Sequence, residues 1–106
     1  MSVVSVYTIF ASADEAHRIG RTVVEERLAA CINILAPCQS VYRWQGKIEE
    51  AEEVPAILKT VDTATDALIA RIAELHSYDV PAIIVWPVHK LPGSYAEWVE
   101  ESTGIA

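Results

Sequence analysis

The chain has 106 residues, 52% of them apolar and 22% charged, with fifteen acids against eight bases and a net charge of −7. That balance fits one folded domain of common size and excludes a disordered chain. Phosphate backbones and anionic membranes are bound by concentrated Lys and Arg, and here Arg18, Arg21 and Arg71 stand apart, so nucleic acid and membrane are both excluded as partners.

Ser2 to Ala11 is β-branched and apolar, the pattern of a strand covered on at least one face. It is preceded by no basic or cleavable leader pattern, and no apolar run reaches the ~18 residues of a membrane span. Ser12 and Glu15 match a capping box, a hydroxyl with a carboxylate three residues on. Ala16, Ile19, Gly20, Val23, Val24 and Leu28 then form one stripe at helical spacing, which predicts a helix ending near Ala30.

Cys31 to Val61 reads as two long extended runs meeting at Gln45-Gly46. Val41 and Arg43 alternate with Tyr42 and Trp44, a period of two that argues a strand. Glu49 to Glu53 has helical propensity, but a helix between Gly46 and Pro55 is too short to nucleate, so the returning strand is predicted to run through it. An arm of this length is more than so small a chain can cover, which predicts pairing with other copies.

Cys31 and Cys38 lie on opposite parities of an extended run, too far apart for a disulfide unless Ala36-Pro37 folds back. Free thiols place the chain in the cytoplasm. Asp62 or Thr63 caps a second helix, whose buried face is Leu68, Ile69, Ile72 and Leu75. Val80 to Val88 is an unbroken apolar run, predicted as a strand buried on both faces. Ser94 with Glu97 repeats the capping box for a short last helix, on which Tyr95 and Trp98 share a face.

The expected fold is therefore α+β: a ferredoxin-like β-α-β-β-α-β order with a long β-hairpin arm and an extra C-terminal helix. Two helices cover one side of the sheet. Tyr42, Trp44 and Trp86 are more aromatic bulk than its other side should show to water, so oligomerisation is expected there.

Several separated motifs now stand in one order. They are the segment Glu26-Arg27-Leu28-Ala29-Ala30-Cys31-Ile32-Asn33, the hairpin residues Ser40, Tyr42, Trp44, Gly46, Lys47 and Ile48, and Glu53, Lys59 and Thr60 on the returning strand. His76, Tyr78, Val80 and Pro81 follow, then Tyr95 and Trp98. Together they resemble the CutA family of divalent-cation-tolerance proteins over almost the whole chain. The resemblance implies a homotrimer with arms wrapped around neighbours, and involvement in copper and other metal tolerance. Some members are assigned copper ligands at a Cys ending the first strand and at a His-His pair. Here those positions carry Phe10 and Leu75, leaving His76, and Ser77 stands where the family usually has Pro.

Each candidate has a second reading. His76 is a metal ligand or proton-handling group, or a cap for the last carbonyls of the second helix. Cys31 is a soft donor for Cu(I), or a small packing group. Glu49, Glu50, Glu52 and Glu53 form a hard-cation surface, or a solvated edge that resists aggregation. Tyr42, Trp44, Lys59, Tyr78 and Trp98 line an inter-subunit ligand cleft, or anchor the interface. His17 and His89 form no ligand pair. No nucleophile has a nearby base and orienting acid, so no enzyme is expected. No cofactor is required, and copper or another divalent metal is the candidate ligand. The alternative reading is a PII-like trimeric sensor holding a small ligand in clefts between subunits.

Overall fold

The computed structural model describes residues 2–104. Met1, Ile105 and Ala106, which the single-domain reading includes, lie outside the described residues. In chain order the elements are β1 (Val3–Phe10), α1 (Ala13–Glu25), β2 (Cys31–Ile34), β3 (Cys38–Trp44), β4 (Lys47–Val61), a 3-10 turn (Asp62–Ala64), α2 (Thr65–Leu75), β5 (Ile83–Pro87) and α3 (Gly93–Ser102). The strands lie in the order β2-β4-β1-β5, with β3 also paired to β4 and every pairing antiparallel. This is the expected ferredoxin-like sheet.

The core forms because alternate residues of the strands turn one apolar face to the helices. Val6 and Phe10 of β1 and Val54, Ala56 and Leu58 of β4 pack on Ala16, Ile19 and Val23 of α1 and on Leu68 and Ile72 of α2. A second cluster joins Val3, Ala30, Val61 and Val99, so α3 covers only one end of the opposite face. The rest of that face stays open. Trp86 is 43% exposed there and stacks on Tyr7 with ring centroids 5.0 Å apart.

Strand β4 runs unbroken through its four glutamates, as expected. Its second half pairs with β1, from Val61 opposite Val3 to Val54 opposite Phe10. Its first half pairs with β3 alone, from Glu53 opposite Cys38 to Lys47 opposite Trp44, and makes the arm. Gln45 (φ 50°) and Gly46 (φ 81°) both take left-handed conformations, which makes a two-residue turn that follows the twist of the strands. The arm draws the molecule out to 45 × 25 × 22 Å, with a radius of gyration of 14.3 Å. A compact chain of this length has ~13 Å.

Five boundaries differ from the sequence expectation, each for a local reason. Helix α1 stops at Glu25 because Arg27 turns left-handed (φ 64°), and Arg27 then donates through Nε to the Gly104 carbonyl at 2.8 Å. The run from Cys31 is interrupted at 35–37, where Pro37 removes a donor, and so becomes β2 and β3. Helix α2 begins at Thr65 behind the 3-10 turn, while Asp62 accepts hydrogen bonds from the backbone of Thr63 and Ser2. Strand β5 is short and lies on the sheet edge with Ile84, Val85 and Trp86 exposed, so it is not buried on both faces. Helix α3 starts at Gly93 after Pro92, and Ser94 lies inside it without capping it.

At Gly20 helix α1 approaches Ile32 of β2 closely. A Cβ there would lie 2.7 Å from Cδ1 and 2.9 Å from Cγ2 of Ile32. Alanine would gain ~1 kcal/mol of helix propensity but overpack the contact by about 1–3 kcal/mol. Gly20→Ala is therefore expected to lower the thermal midpoint in differential scanning calorimetry, and a raised midpoint would show that the contact yields.

Candidate functional site

The arm and the segment after α2 enclose a cleft of about 610 Å³. Residues directly opposite in an antiparallel pair share a face. Cys38, Ser40, Tyr42 and Trp44 therefore project to the same side as Glu53, Ala51, Glu49 and Lys47. Ser40, Tyr42, Trp44 and Glu53 of this side form one wall of the cleft. Ser77, Tyr78, Asp79, Val80 and Ala82 form the other, and Ile9 of β1 lies between them.

The second wall is held in place from beneath. The Ser12 hydroxyl accepts the backbone N–H of Glu15 at 3.2 Å, as a capping box requires. The Glu15 carboxylate completes the box differently from the usual pattern. It takes the N–H of Ala11 at 3.0 Å and reaches across to the N–H of Ser77, also at 3.0 Å. Burial pushes this carboxyl up, but hydrogen bonds from Ser77 and Ala11 hold it below its ordinary value. One acid thus fastens the end of β1, the start of α1 and the turn after α2.

His76 is similarly committed. Its Nε2 lies 2.8 Å from the carbonyl of Ile9, while its Nδ1 accepts the N–H of Tyr78 at 3.0 Å. An acceptor at one nitrogen and a donor at the other define a neutral ring with its proton on Nε2. The imidazole lies between Phe10, stacked at 5.2 Å, and the ring of Tyr78 at 4.8 Å. Tyr78 in turn donates its hydroxyl to Glu53 Oε2 at 2.6 Å. Burial raises the Tyr78 hydroxyl above its ordinary range, and the bond to Glu53 adds to the rise.

The sequence candidates are therefore divided among several places. Tyr42, Trp44 and Tyr78 come together at the cleft. Lys59 lies in a separate notch of about 430 Å³ with Ser5, Lys90 and Tyr95, and donates to Asn33 Oδ1 at 2.9 Å. Trp98 stands beside Tyr95 on α3, 5.6 Å between centroids, and lines neither hollow. Cys31 is a free thiol 3.7 Å from the Tyr95 hydroxyl. Burial and that contact push Tyr95 up to about 12.

Cys31 and His76 are not brought together. Cys31 pairs with Lys59, which pairs with Ser5, whereas His76 bonds to Ile9, four positions along β1. That is roughly 13 Å of strand. Phe10 and Leu75, at the positions assigned as ligands in some family members, both pack in the core. Among the described residues, no three His, Cys, Asp or Glu side chains form a group that could hold a metal ion. The cleft also contains Glu53, which the sequence reading grouped with Glu49, Glu50 and Glu52 as one hard-cation surface or solvated edge. Glu53 is only 7% exposed, while Glu49, Glu50 and Glu52 are exposed as a solvated edge should be. Its parity placed it on the side of Tyr42, but only the fold shows that Tyr78 closes over it.

The model of the CutA1 divalent ion tolerance protein family matches residues 4–102. The chain belongs to this family. It is similar to the divalent-cation tolerance protein CutA of Pyrococcus horikoshii, 45% identical over 101 residues, which cover 95% of this chain and 98% of that one. The solved divalent cation tolerance protein of Thermus thermophilus superposes with a TM-score of 0.93 at 38% identity, over 96% of this chain and 99% of that one. The CutA1 structure from Oryza sativa superposes at 0.95 and 33% identity, over 100% of this chain and 97% of that one. Family membership accounts for the sheet, the arm and the order of motifs.

The Glu15 bridge has a measurable signature. A carboxyl whose value is depressed on folding stabilises the protein above its unfolded value of 4.5, and that contribution is lost as pH falls through the lower folded value. Glu15→Gln should lower stability at pH 7 by about 1–3 kcal/mol, with the gap to the unmodified chain closing below pH 4.5. Urea unfolding across pH checks this, and a gap independent of pH would show that the charge plays no part.

Proposed function

We propose that this chain serves divalent-cation tolerance as a homotrimer, that it is not an enzyme, and that it meets copper and other divalent ions only weakly. Family membership supports the tolerance role. The observation that carries the assembly is the arm's second side, where Val41 is 66% exposed and Ile48 61% exposed. Val41 lies opposite Glu50 and Arg43 opposite Ile48, so these two apolar groups share the side away from the cleft. The described residues of one chain leave them uncovered, and sister copies are the proposed cover.

Weak metal contact follows from the dispersal of donors. Cys31 and His76 are the proposed contact points, acting separately, since a stable transition-metal centre draws on three or four ligands, and His76 must give up one of its two ring hydrogen bonds to reach an ion. The two free thiols support the cytoplasm as its location. A second reading, a PII-like sensor of a small ligand, is favoured by one observation: the cleft has a volume typical of small-molecule sites.

Two experiments test the proposal. Val41→Glu with Ile48→Glu removes about 2 kcal/mol of apolar burial at each position and should shift light scattering from trimer towards monomer. An unaltered trimer would reject the arm as its cover. In calorimetric titration Cu(II) and Zn(II) should bind weakly, and Cys31→Ser together with His76→Ala should weaken them further. Unchanged affinity would remove both residues as donors.

A further inference from the structure

We propose that the cleft between the arm and the 77–82 segment is a receptor for an organic ammonium cation, with Glu53 as its counter-charge and Tyr42, Trp44 and Tyr78 as its aromatic walls. The proposal takes up the cleft of the small-ligand reading, and it does not depend on the number of subunits.

The charge balance of the lining is one-sided. Glu53 and Asp79 are the ionisable acids of the cleft wall, and no Lys, Arg or His lines it. Glu53 is the unusual group. It is more than nine-tenths buried, and a carboxylate so placed requires compensation. Tyr78 satisfies Oε2 at 2.6 Å, the length of a hydroxyl bond to an ionised carboxylate. Among the described residues no hydrogen bond reaches Oε1. A buried negative charge with one half-satisfied end therefore looks into a hollow of ligand size.

The rest of the wall selects the kind of cation. A bare divalent ion is held by several converging carboxylates or by three or four N and S donors, and among the described residues no three His, Cys, Asp or Glu side chains form such a group. Three aromatic rings beside a carboxylate instead suit an alkylated ammonium, whose charge is spread over a greasy surface that ring faces attract. The chain's own cation on this side, Lys47, stands opposite Trp44 but outside the lining, and Glu49 beside Tyr42 adds a further negative charge. The side bearing Val41 and Ile48 points away from the cleft, so sister copies can cover it while the cleft stays open.

The test is titration of the full chain with choline chloride, followed by calorimetry and tryptophan fluorescence, at constant ionic strength. Its neutral isostere 3,3-dimethylbutan-1-ol and MgCl2 serve as comparisons. Choline should bind saturably, and the isostere and magnesium should not. Glu53→Gln should weaken choline by roughly tenfold or more. Trp44→Leu, a substitution at an exposed position that leaves the core intact, should weaken it similarly and remove the fluorescence response. Equal binding of the isostere would overturn the proposal in favour of a merely apolar hollow. Competition by magnesium would overturn it in favour of an inorganic ion. Absence of any binding would mean that the cleft is closed in solution and would overturn it too, and unaltered affinity in both variants would place the ammonium elsewhere. A monomer in light scattering that still binds choline would remove the assembly reading and leave this one standing.

Discussion

Strand β4 pairs with three other strands along fifteen residues, and the molecule depends on that continuity. Its second half is the centre of the sheet, flanked by β1 and β2, with Val54, Ala56 and Leu58 turned to the helices. Among the described residues its first half pairs with β3, and residues 47–50 of it are exposed. The same backbone passes from a buried regime to an exposed one within a few residues of Glu53. A two-stranded ribbon is marginal in water by itself, so the arm borrows its order from the anchored half and from whatever covers it.

Glu53 sits at that crossover, which explains its dual character. On the arm it would be one more solvated acid. At the root it is trapped beneath Tyr78, and the segment bearing Tyr78 is fixed by Glu15 and His76. His76 uses both ring nitrogens for this task. The residue most suggestive of metal chemistry in the sequence is thus a structural strut in the fold, and the chemical interest moves to the carboxylate that the strut positions.

Much of this was legible from residue order. The alternation through Tyr42 and Trp44, the turn chemistry of Gln45-Gly46 and the capping box at Ser12 are local signals that the fold keeps, whereas the same box at Ser94 is not used. The continuous strand through Glu49 to Glu53 was legible because a helix there had no room to nucleate. What escaped depends on contacts distant in sequence. Arg27 ends α1 because the carbonyl of Gly104, 77 positions away, is there to receive it. Lys59 and Trp98 recur in the same motif set as Tyr42, yet register places Lys59 four positions from the cleft floor, and α3 carries Trp98 to the opposite end of the sheet. The run from Val80 to Val88 reads as interior because it is apolar, but being apolar does not distinguish a central strand from an edge that another chain covers.

Order in the arm must come from outside its own chain if sister copies are its cover. Amide hydrogen exchange on the assembled protein reads this directly, by comparing residues 41–50 with Leu58 in the core. With the arm covered, its ladder amides should exchange nearly as slowly as that of Leu58, far below the rate of a lone ribbon. Fast exchange throughout 41–50, with Leu58 still protected, would describe an arm standing free in water and would contradict its cover by sister copies.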